Sequence, residues 1–325
     1  MRAAVSTAYG PPGVVRVAEV AEPEIGPGDL LVRVRVATVN RTDSGYRAGT
    51  PWFIRAFSGW RHPRTPVWGT EYAGVVEAVG PQVDGFSVGE AVFGYAEGRF
   101  GAHAELVAVA QDSMVARVPD EVDLAHAAAA TEGGHYALSF LRRSGLGPGA
   151  RALVHGGTGA IGSAAVQLAV DHGVHVTATA PTDGLDTVRG LGADEVVDWQ
   201  QGGLDALHES FDAVLDTVGK RTFAGSRRWL VPGGVYLSSE LGPYWQNPVL
   251  ALTTPLGRGR RVVFPTPLEG PEVMEYLRDR LARGTFRPLL DDRRFPLDDI
   301  VLAYQYVESG QKVGSVLLEV TPPAA

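Results

Sequence analysis

The sequence predicts an α/β protein in which a doubly wound, Rossmann-type parallel sheet is inserted between two pieces of a β-rich domain. Three observations support this expectation. The first third consists of short β-type runs punctuated by glycine and proline, and the middle alternates apolar strands with amphipathic helices. A last strand lies beyond that alternation, where it needs another sheet to join.

In the first piece, residues 1–122, strands are expected at 30–37, 71–79, 91–94, 104–109 and 114–117, with little helical pattern. Gly80 and Pro81 stop the second of these, as a turn into the next antiparallel strand requires. Residues 123–267 form the inserted domain. An alanine-rich helix from Leu124 opens it, and strands follow at 151–155, 174–180, 195–198, 213–216, 234–238 and 261–264. Each is an apolar run without alternation, as expected of strands covered on both faces. Residues 268–325 return to the first domain through a helix at 272–283, a segment at 286–295, a helix at 297–308 and a strand at 315–320. Residues 321–325 are a loose end.

Composition narrows the function. The net charge is −8, and the densest basic cluster is the short set Arg258, Arg260 and Arg261, so nucleic acid is not an expected partner. The chain has no cysteine, which removes disulfides, thiolate catalysis and cysteine-ligated zinc together. No stretch approaches the roughly 18 apolar residues of a membrane span. A soluble, cytoplasmic protein is expected. The 41 glycines and 22 prolines are expected in turns and cofactor loops.

The strongest motif is the loop after the strand at 151–155. Gly157, Gly159 and Gly162 fit G-x-G-x-x-G between a strand and a helix, with a second apolar strand at the right distance. The expected roles are a tight turn at Gly157, approach to a pyrophosphate at Gly159 and helix-to-strand packing at Gly162. Thr158, Ala160 and Ile161 complete the loop. The helix start offers free N–H groups to the phosphates, and Ile161, Ala165, Leu168 and Ala169 are its expected buried face. The second strand ends at Ala180, Pro181 and Thr182 without the carboxylate that would hold a ribose 2′-hydroxyl. Thr179 and Thr182 are candidate donors to a 2′-phosphate, so NADPH is favoured over NADH, while Asp183 counts against it.

With this loop in place the chain resembles the medium-chain dehydrogenase/reductase superfamily, in its zinc-free quinone oxidoreductase branch. The likeness runs through Val39-Asn-Arg-Thr-Asp43, Gly69-Thr-Glu-Tyr-Ala-Gly74, the glycine loop, Leu191-Gly-Ala-Asp194 and Phe211-Asp-Ala-Val-Leu-Asp216-Thr-Val-Gly219. It implies a GroES-like fold for the β-rich domain, a homodimer, and hydride transfer from NADPH to a quinone or an α,β-unsaturated carbonyl. Zinc-using members carry cysteine at this chain's Asn40, histidine at Thr70 and a further cysteine near Glu132, so the resemblance implies no zinc. It also places Thr131 at the nicotinamide ribose, Trp199 beside the adenine ribose, and Val218, Gly219 and Leu241 at the cofactor edge.

For catalysis, Asn40 and Asp43 match the family's N-x-x-D motif, where the amide could orient a substrate carbonyl; fixing the turn after the preceding strand is the alternative. Tyr46 is a candidate proton donor, stacking surface or packing residue, and its position departs from the tyrosines of enoyl thioester reductases. His135 is the one histidine considered as an acid, and its i, i+3 spacing from Glu132 suits an ion pair or hydrogen bond better than a metal. Many relatives have a lysine right after the glycine that is Gly314 here, whereas Lys312 precedes it, so the resemblance does not carry a lysine contact to the cofactor. Phe53, Phe57 and Trp60 would share a helix face, as a lid, an oligomer contact or packing over the β domain. Two other functions stay open: a zinc-free alcohol or ketone dehydrogenase, and an NADPH-binding sensor or scaffold without turnover.

Overall fold

The computed structural model describes residues 1–96, 98–257 and 259–321. Arg258 of the basic cluster and residues 322–325 of the expected loose end lie outside them. The backbone forms two compact units. One comprises Met1–Thr131, Glu269–Arg283 and the chain from Leu290 onward; the other comprises Glu132–Leu268 and Gly284–Leu289.

Along the chain, the first unit contains β1 (Arg2–Val5), β2 (Arg16–Glu19), β3 (Asp29–Val39), α1 (Arg41–Ala48), α2 (Arg55–Ser58), β4 (Glu71–Val79), β5 (Ala91–Tyr95), β6 (Leu106–Ala110), β7 (Val115–Arg117) and α3 (Leu124–Ala128). Strands β1 and β2 make a separate antiparallel ribbon. In β3, Leu30, Val32 and Val34 are fully buried while Leu31, Arg33 and Arg35 are half-buried, the two-residue period of a sheet with one wet face. Arg33 on that outer face donates to Glu77 of β4 at 2.6 Å. The antiparallel pairing of β3 with β4 and with β6 sets the frame of this unit.

The second unit runs through α4 (Thr131–Ser144), β8 (Arg151–His155), α5 (Ala160–Asp171), β9 (His175–Ala180), α6 (Leu185–Gly190), β10 (Glu195–Asp198), α7 (Gly203–Ala206), β11 (Phe211–Asp216), α8 (Phe223–Ser226), β12 (Leu230–Ser238), α9 (Gln246–Thr253) and β13 (Arg261–Val263). The six strands are parallel in the order β10-β9-β8-β11-β12-β13. Counted from β8 this is 3-2-1-4-5-6, so the topology reverses between β8 and β11, where α/β sheets hold ligands beyond their carboxyl ends. Ala152, Leu153 and Val154 of β8 and Ala213, Val214 and Leu215 of β11 are all essentially inaccessible, which accounts for their unalternating apolar runs.

The chain then returns to the first unit as α10 (Pro271–Ala282), β14 (Leu290–Pro296), α11 (Ile300–Ser309) and β15 (Ser315–Glu319). Strand β15 pairs antiparallel with β3, and β14 lies parallel beside β15, so the terminal strand joins the sheet of β3 rather than the crossover sheet. Ile300, Ala303, Tyr304 and Val307 at i, i+3, i+4 and i+7 bury one stripe of α11 in the core under β3. Each large apolar side chain so buried contributes about 1.5–3 kcal/mol.

Two expectations for the first unit are corrected. The sequence shows little helical pattern after β3, yet Asn40 starts the helix α1. The aromatics at 53, 57 and 60 do not share a helix face. The helix ends at Ser58 because Gly59 takes φ 122°, so Trp60 leaves its axis and packs edge-on against Trp52 at 6.3 Å. Trp52, Phe57 and Trp60 remain 60%, 73% and 65% exposed, so they do not pack over the β domain. Among the described residues no helix is long and apolar enough to cross a membrane.

Candidate active site

In the second unit the glycine loop lies between β8 and α5. Gly156 takes φ 95°, and a Cβ there would stand 2.1 Å from Val218 Cγ2. The tight turn therefore falls on Gly156, one residue before the expected Gly157, because the chain reverses as soon as β8 ends. Gly157 is not in the left-handed region; its N–H donates to the Thr179 carbonyl at 2.8 Å. Gly162 plays its expected part, since a Cβ would lie 2.0 Å from the Gly156 carbonyl oxygen. Gly159 is the N-cap of α5, and a Cβ there would meet only the Gly156 oxygen at 3.5 Å. Thr158, Gly159, Ala160 and Ile161 are half-buried, which leaves the helix start accessible to an anion. Gly162 to Ala169 are all buried, so the covered surface of α5 is wider than the predicted stripe, while Ile161 sits at its edge.

The loop after β11 completes this rim. Asp216 is fully buried and staples the turn: Oδ1 accepts from the N–H groups of Val218 and Gly219 at 3.3 and 3.0 Å, and Oδ2 from Arg221 N and the Tyr236 hydroxyl at 3.1 and 2.9 Å. Thr217 donates its hydroxyl to the His155 carbonyl at 2.8 Å, tying the end of β11 to that of β8. Burial holds His155 below the ordinary histidine value, against the opposing pull of Asp216. Gly219, at φ 71°, approaches so closely that a Cβ would lie 2.1 Å from Glu240 Cγ, next to Leu241. The structure thus brings Gly156 to Gly162, Val218, Gly219 and the segment before Leu241 to one rim. An open N-cap, a glycine cradle and adjoining carboxyl strand ends fit a dinucleotide pyrophosphate.

Two expected donors at the adenosine end are corrected. Thr179 is fully buried, and its hydroxyl accepts from Gly156 N at 3.0 Å and meets His155 Nδ1 at 2.9 Å, so it braces the loop. Thr182 is exposed, but it donates to Asp198 Oδ2 at 2.6 Å and its N–H is taken by Gln200 Oε1 at 3.0 Å. The strand end therefore carries a carboxylate, supplied by the neighbouring strand. Trp199 is 48% exposed, with its backbone N–H on the Ala180 carbonyl at 3.2 Å. His135 is also corrected. It is fully buried beside Tyr136, and burial drives it down to about 3, so at neutral pH it has no imidazolium proton to give.

In the first unit, Asn40 and Asp43 close a reciprocal capping box on α1. Asp43 N donates to Asn40 Oδ1 at 2.8 Å, and Asn40 N donates to Asp43 Oδ2 at 3.1 Å. Asn40 Nδ2 donates to Thr70 Oγ1 at 3.0 Å, which donates to Asp43 Oδ1 at 3.1 Å. The neighbouring Glu71 accepts from Thr38 and, at 3.1 Å, from Thr131. Thr131, expected at the nicotinamide ribose, is fully buried and spends its hydroxyl on this carboxylate. His103 Nε2 meets the Thr38 carbonyl at 2.8 Å, and its ring, lowered to about 4 by burial, reaches Tyr304 at 3.3 Å. Tyr46 lies half-buried one turn after Asp43, edge-on to Phe100 at 4.7 Å and stacked on Trp68 at 6.3 Å. Lys312 donates to the Gly314 carbonyl at 2.6 Å, within its own loop. Sequence reasoning missed Gly156, Asp198 and His103, and gave no role to the side chains of Thr70, Glu71 and Asp216. Thr70, Glu71 and His103 have their partners far along the chain, and Asp198 and Asp216 join local turn bonds to distant ones at Thr182 and Tyr236, which no local spacing signals.

Residues 26–120 match the alcohol dehydrogenase GroES-like domain family, and residues 191–318 match the zinc-binding dehydrogenase family. A 2-methylene-furan-3-one reductase of Solanum lycopersicum is 32% identical over 336 residues, covering 99% of this chain and 80% of that protein. The chain belongs to the medium-chain dehydrogenase/reductase superfamily. Within this superfamily it falls in the quinone oxidoreductase-like branch. The chloroplastic NADPH-dependent alkenal/one oxidoreductase of Arabidopsis thaliana is 30% identical over the same shares. The quinone oxidoreductase of Coxiella burnetii is 25% identical, with a TM-score of 0.88 over 99% of each chain. This medium-chain dehydrogenase/reductase is an oxidoreductase with a GroES-like domain and a Rossmann-like parallel sheet.

Proposed function

We propose that the chain is a zinc-independent reductase that takes NADPH and an electron-poor acceptor, a quinone or an α,β-unsaturated carbonyl. The observation that carries this is the Asn40–Thr70 pair. The two positions that hold metal ligands in zinc-using relatives hold an amide and a hydroxyl bonded to each other at 3.0 Å, a poor donor set for zinc. The names of the tomato and Arabidopsis relatives supply the substrate class and the cofactor.

NADPH supplies the hydride when bound. The glycine loop and the start of α5 would hold its diphosphate with backbone N–H groups, and the Asp216 bonds keep the loop after β11 in place beside them. An asparagine amide carries two protons, and Thr70 takes one of those on Asn40. The other polarises the acceptor oxygen. Asp43 and Thr70 hold the amide plane for that purpose, so its orientation is fixed before the acceptor arrives. Tyr46, one turn after Asp43, would supply the proton that the reduced acceptor needs. The protein acts as a homodimer. Its supporting surface is on the second unit, where α9 leaves Val249 and Leu252 59% and 78% exposed next to the unpaired edge of β13.

The test is NADPH oxidation against quinones, enones, enoyl thioesters and simple ketones, with and without chelator. Chelator-resistant turnover on a quinone or enone is expected. Chelator-sensitive ketone reduction overturns the proposal, and tight cofactor binding without turnover moves the function to a sensor or scaffold.

A further inference from the structure

The adenosine end of the cofactor rim holds a feature that the reductase function does not require. In a sheet of this topology, the ribose of the adenosine half lies beyond the carboxyl end of the strand after the glycine loop. Here that strand is β9, ending at Ala180. Asp198, the last residue of β10, is in register with Ala180, and its carboxylate reaches across to the Thr182 hydroxyl at 2.6 Å. Its other oxygen accepts from the N–H groups of Gln200 and Gln201 at 2.8 and 3.3 Å, which fixes the carboxylate at this edge. Arg189, the first basic residue after Ala180, is held by Asp186 at 2.6 Å. Both threonines that a 2′-phosphate would need are already committed, one of them to a negative charge.

We propose that Asp198 is a specificity-determining residue that disfavours the 2′-phosphate, so that this chain discriminates weakly between NADPH and NADH. The inference rests on the dinucleotide site described above and concerns only its adenosine end. A phosphomonoester carries nearly two charges at neutral pH, and a carboxylate within a few ångströms of it repels it through water. Removing the carboxylate charge then strengthens 2′-phosphate binding by a factor on the order of five to ten at low salt, and less at high salt. A ribose 2′-hydroxyl meets no such penalty and can donate to the same carboxylate.

The experiment is calorimetric titration of the full chain with 2′,5′-ADP and with 5′-AMP, in the wild type and in Asp198→Asn, at low and high ionic strength. Asparagine removes the charge and keeps one oxygen for the loop N–H groups, while its amide NH2 takes the place of the oxygen on Thr182, whose hydroxyl can turn to accept from it. The expected result is 2′,5′-ADP binding five- to tenfold tighter in the variant, with 5′-AMP within twofold of wild type and the difference shrinking with salt. The kcat/KM ratio for NADPH over NADH should rise by the same factor. Equal changes for both nucleotides would make Asp198 a loop cap only, and an unchanged 2′,5′-ADP affinity would show that no phosphate approaches it; either overturns the proposal. Thr182→Val gives a second reading. With its donor gone the carboxylate is free for the ribose, so 5′-AMP tightens and 2′,5′-ADP does not; equal tightening of both again overturns it. Binding of neither nucleotide to the wild type overturns the dinucleotide site itself. Nucleotide binding without turnover overturns only the reductase function.

Discussion

Two glycines three residues apart in the same loop should fail in opposite ways. At Gly162 a methyl group would lie 2.0 Å from the Gly156 carbonyl oxygen, 2.7 Å from its carbon and 2.9 Å from Thr217 Oγ1. Relief requires α5 to move away from the end of β8 by more than an ångström, because the nearest obstacles are backbone atoms. Such overpacking costs about 1–3 kcal/mol, against up to about 1 kcal/mol regained from helix propensity. Gly162→Ala is therefore expected to lose about 1–2 kcal/mol, or about 2–8 °C in Tm for a body of this size. Gly159 has φ −78° and ψ 165°, which alanine adopts freely, and its Cβ would meet one atom at an ordinary distance. The weaker N-cap of alanine and its smaller unfolded-state entropy offset to within about 0.5 kcal/mol. The methyl would project over the N–H groups that receive the pyrophosphate, so Gly159→Ala should weaken NADPH binding at least about tenfold without moving Tm. Thermal melts with and without nucleotide, together with fluorescence titration, separate the two effects. Wild-type NADPH affinity in Gly159→Ala would refute the placement of the phosphates. A wild-type Tm in Gly162→Ala would refute the closeness of helix and strand.

Asn40→Ala removes the capping box and the Thr70 bond together. It should cost about 1–2 kcal/mol in denaturant melts and lower kcat while leaving the Kd for NADPH unchanged, whereas Tyr46→Phe should lower kcat with little change in Tm. His103 and His135, lowered by burial to about 4 and about 3, stay neutral in the folded protein while the unfolded chain takes up protons below about pH 6.5. Their stabilisation is complete above that pH and is lost as pH falls towards the folded values, by about 1.4 kcal/mol per unit for each. Urea melts that stay flat from pH 7 to pH 5 would refute this, and a break in the pH–rate profile assigned to His135 would contradict its burial. Val249→Glu combined with Leu252→Glu should convert the proposed dimer to monomers in sedimentation velocity; an unchanged sedimentation coefficient would move the interface elsewhere.

The cofactor side of the protein was largely legible because its signal is contiguous. Glycines, a preceding apolar strand and a following amphipathic helix lie within about twenty residues, and the local backbone decides what each glycine does. Even there, pattern matching placed the turn one residue late. G-x-G-x-x-G describes a phosphate loop, but the left-handed residue is set by where β8 stops, and Gly156 is already past its end. The carboxylate at the adenosine end was missed for a related reason. Whether a strand end is acidic depends on the neighbouring strand as well as its own residues, and Asp198 lies sixteen positions beyond Thr182. The aromatics at 53 to 60 show the reverse error, since their helical spacing is interrupted by the backbone of one glycine.

Apart from the N-x-x-D pair at 40 and 43, the first unit's network was opaque, because its other members come from positions 38, 70, 71, 103, 131 and 304, which no motif connects. What the sequence could offer at Asn40 was a choice between a backbone-fixing residue and a catalytic amide. The geometry makes these one property. The capping bonds that start α1 are the same bonds that fix the plane of the amide, and Thr70 closes the triangle by bonding both Asn40 and Asp43. An amide restrained on both sides loses little further entropy when it meets an acceptor oxygen, which is the condition for a single neutral hydrogen bond to matter in a transition state. Asn40→Asp would remove the polarising proton and still cap the helix, but it sets a second carboxylate beside Asp43 and so changes the charge of the network as well. The catalytic part of its role has to be isolated at Thr70. There Thr70→Ser keeps both bonds and should leave kcat near wild type, whereas Thr70→Val frees the amide to rotate and should lower kcat while the capping box, and with it most of the stability of α1, persists.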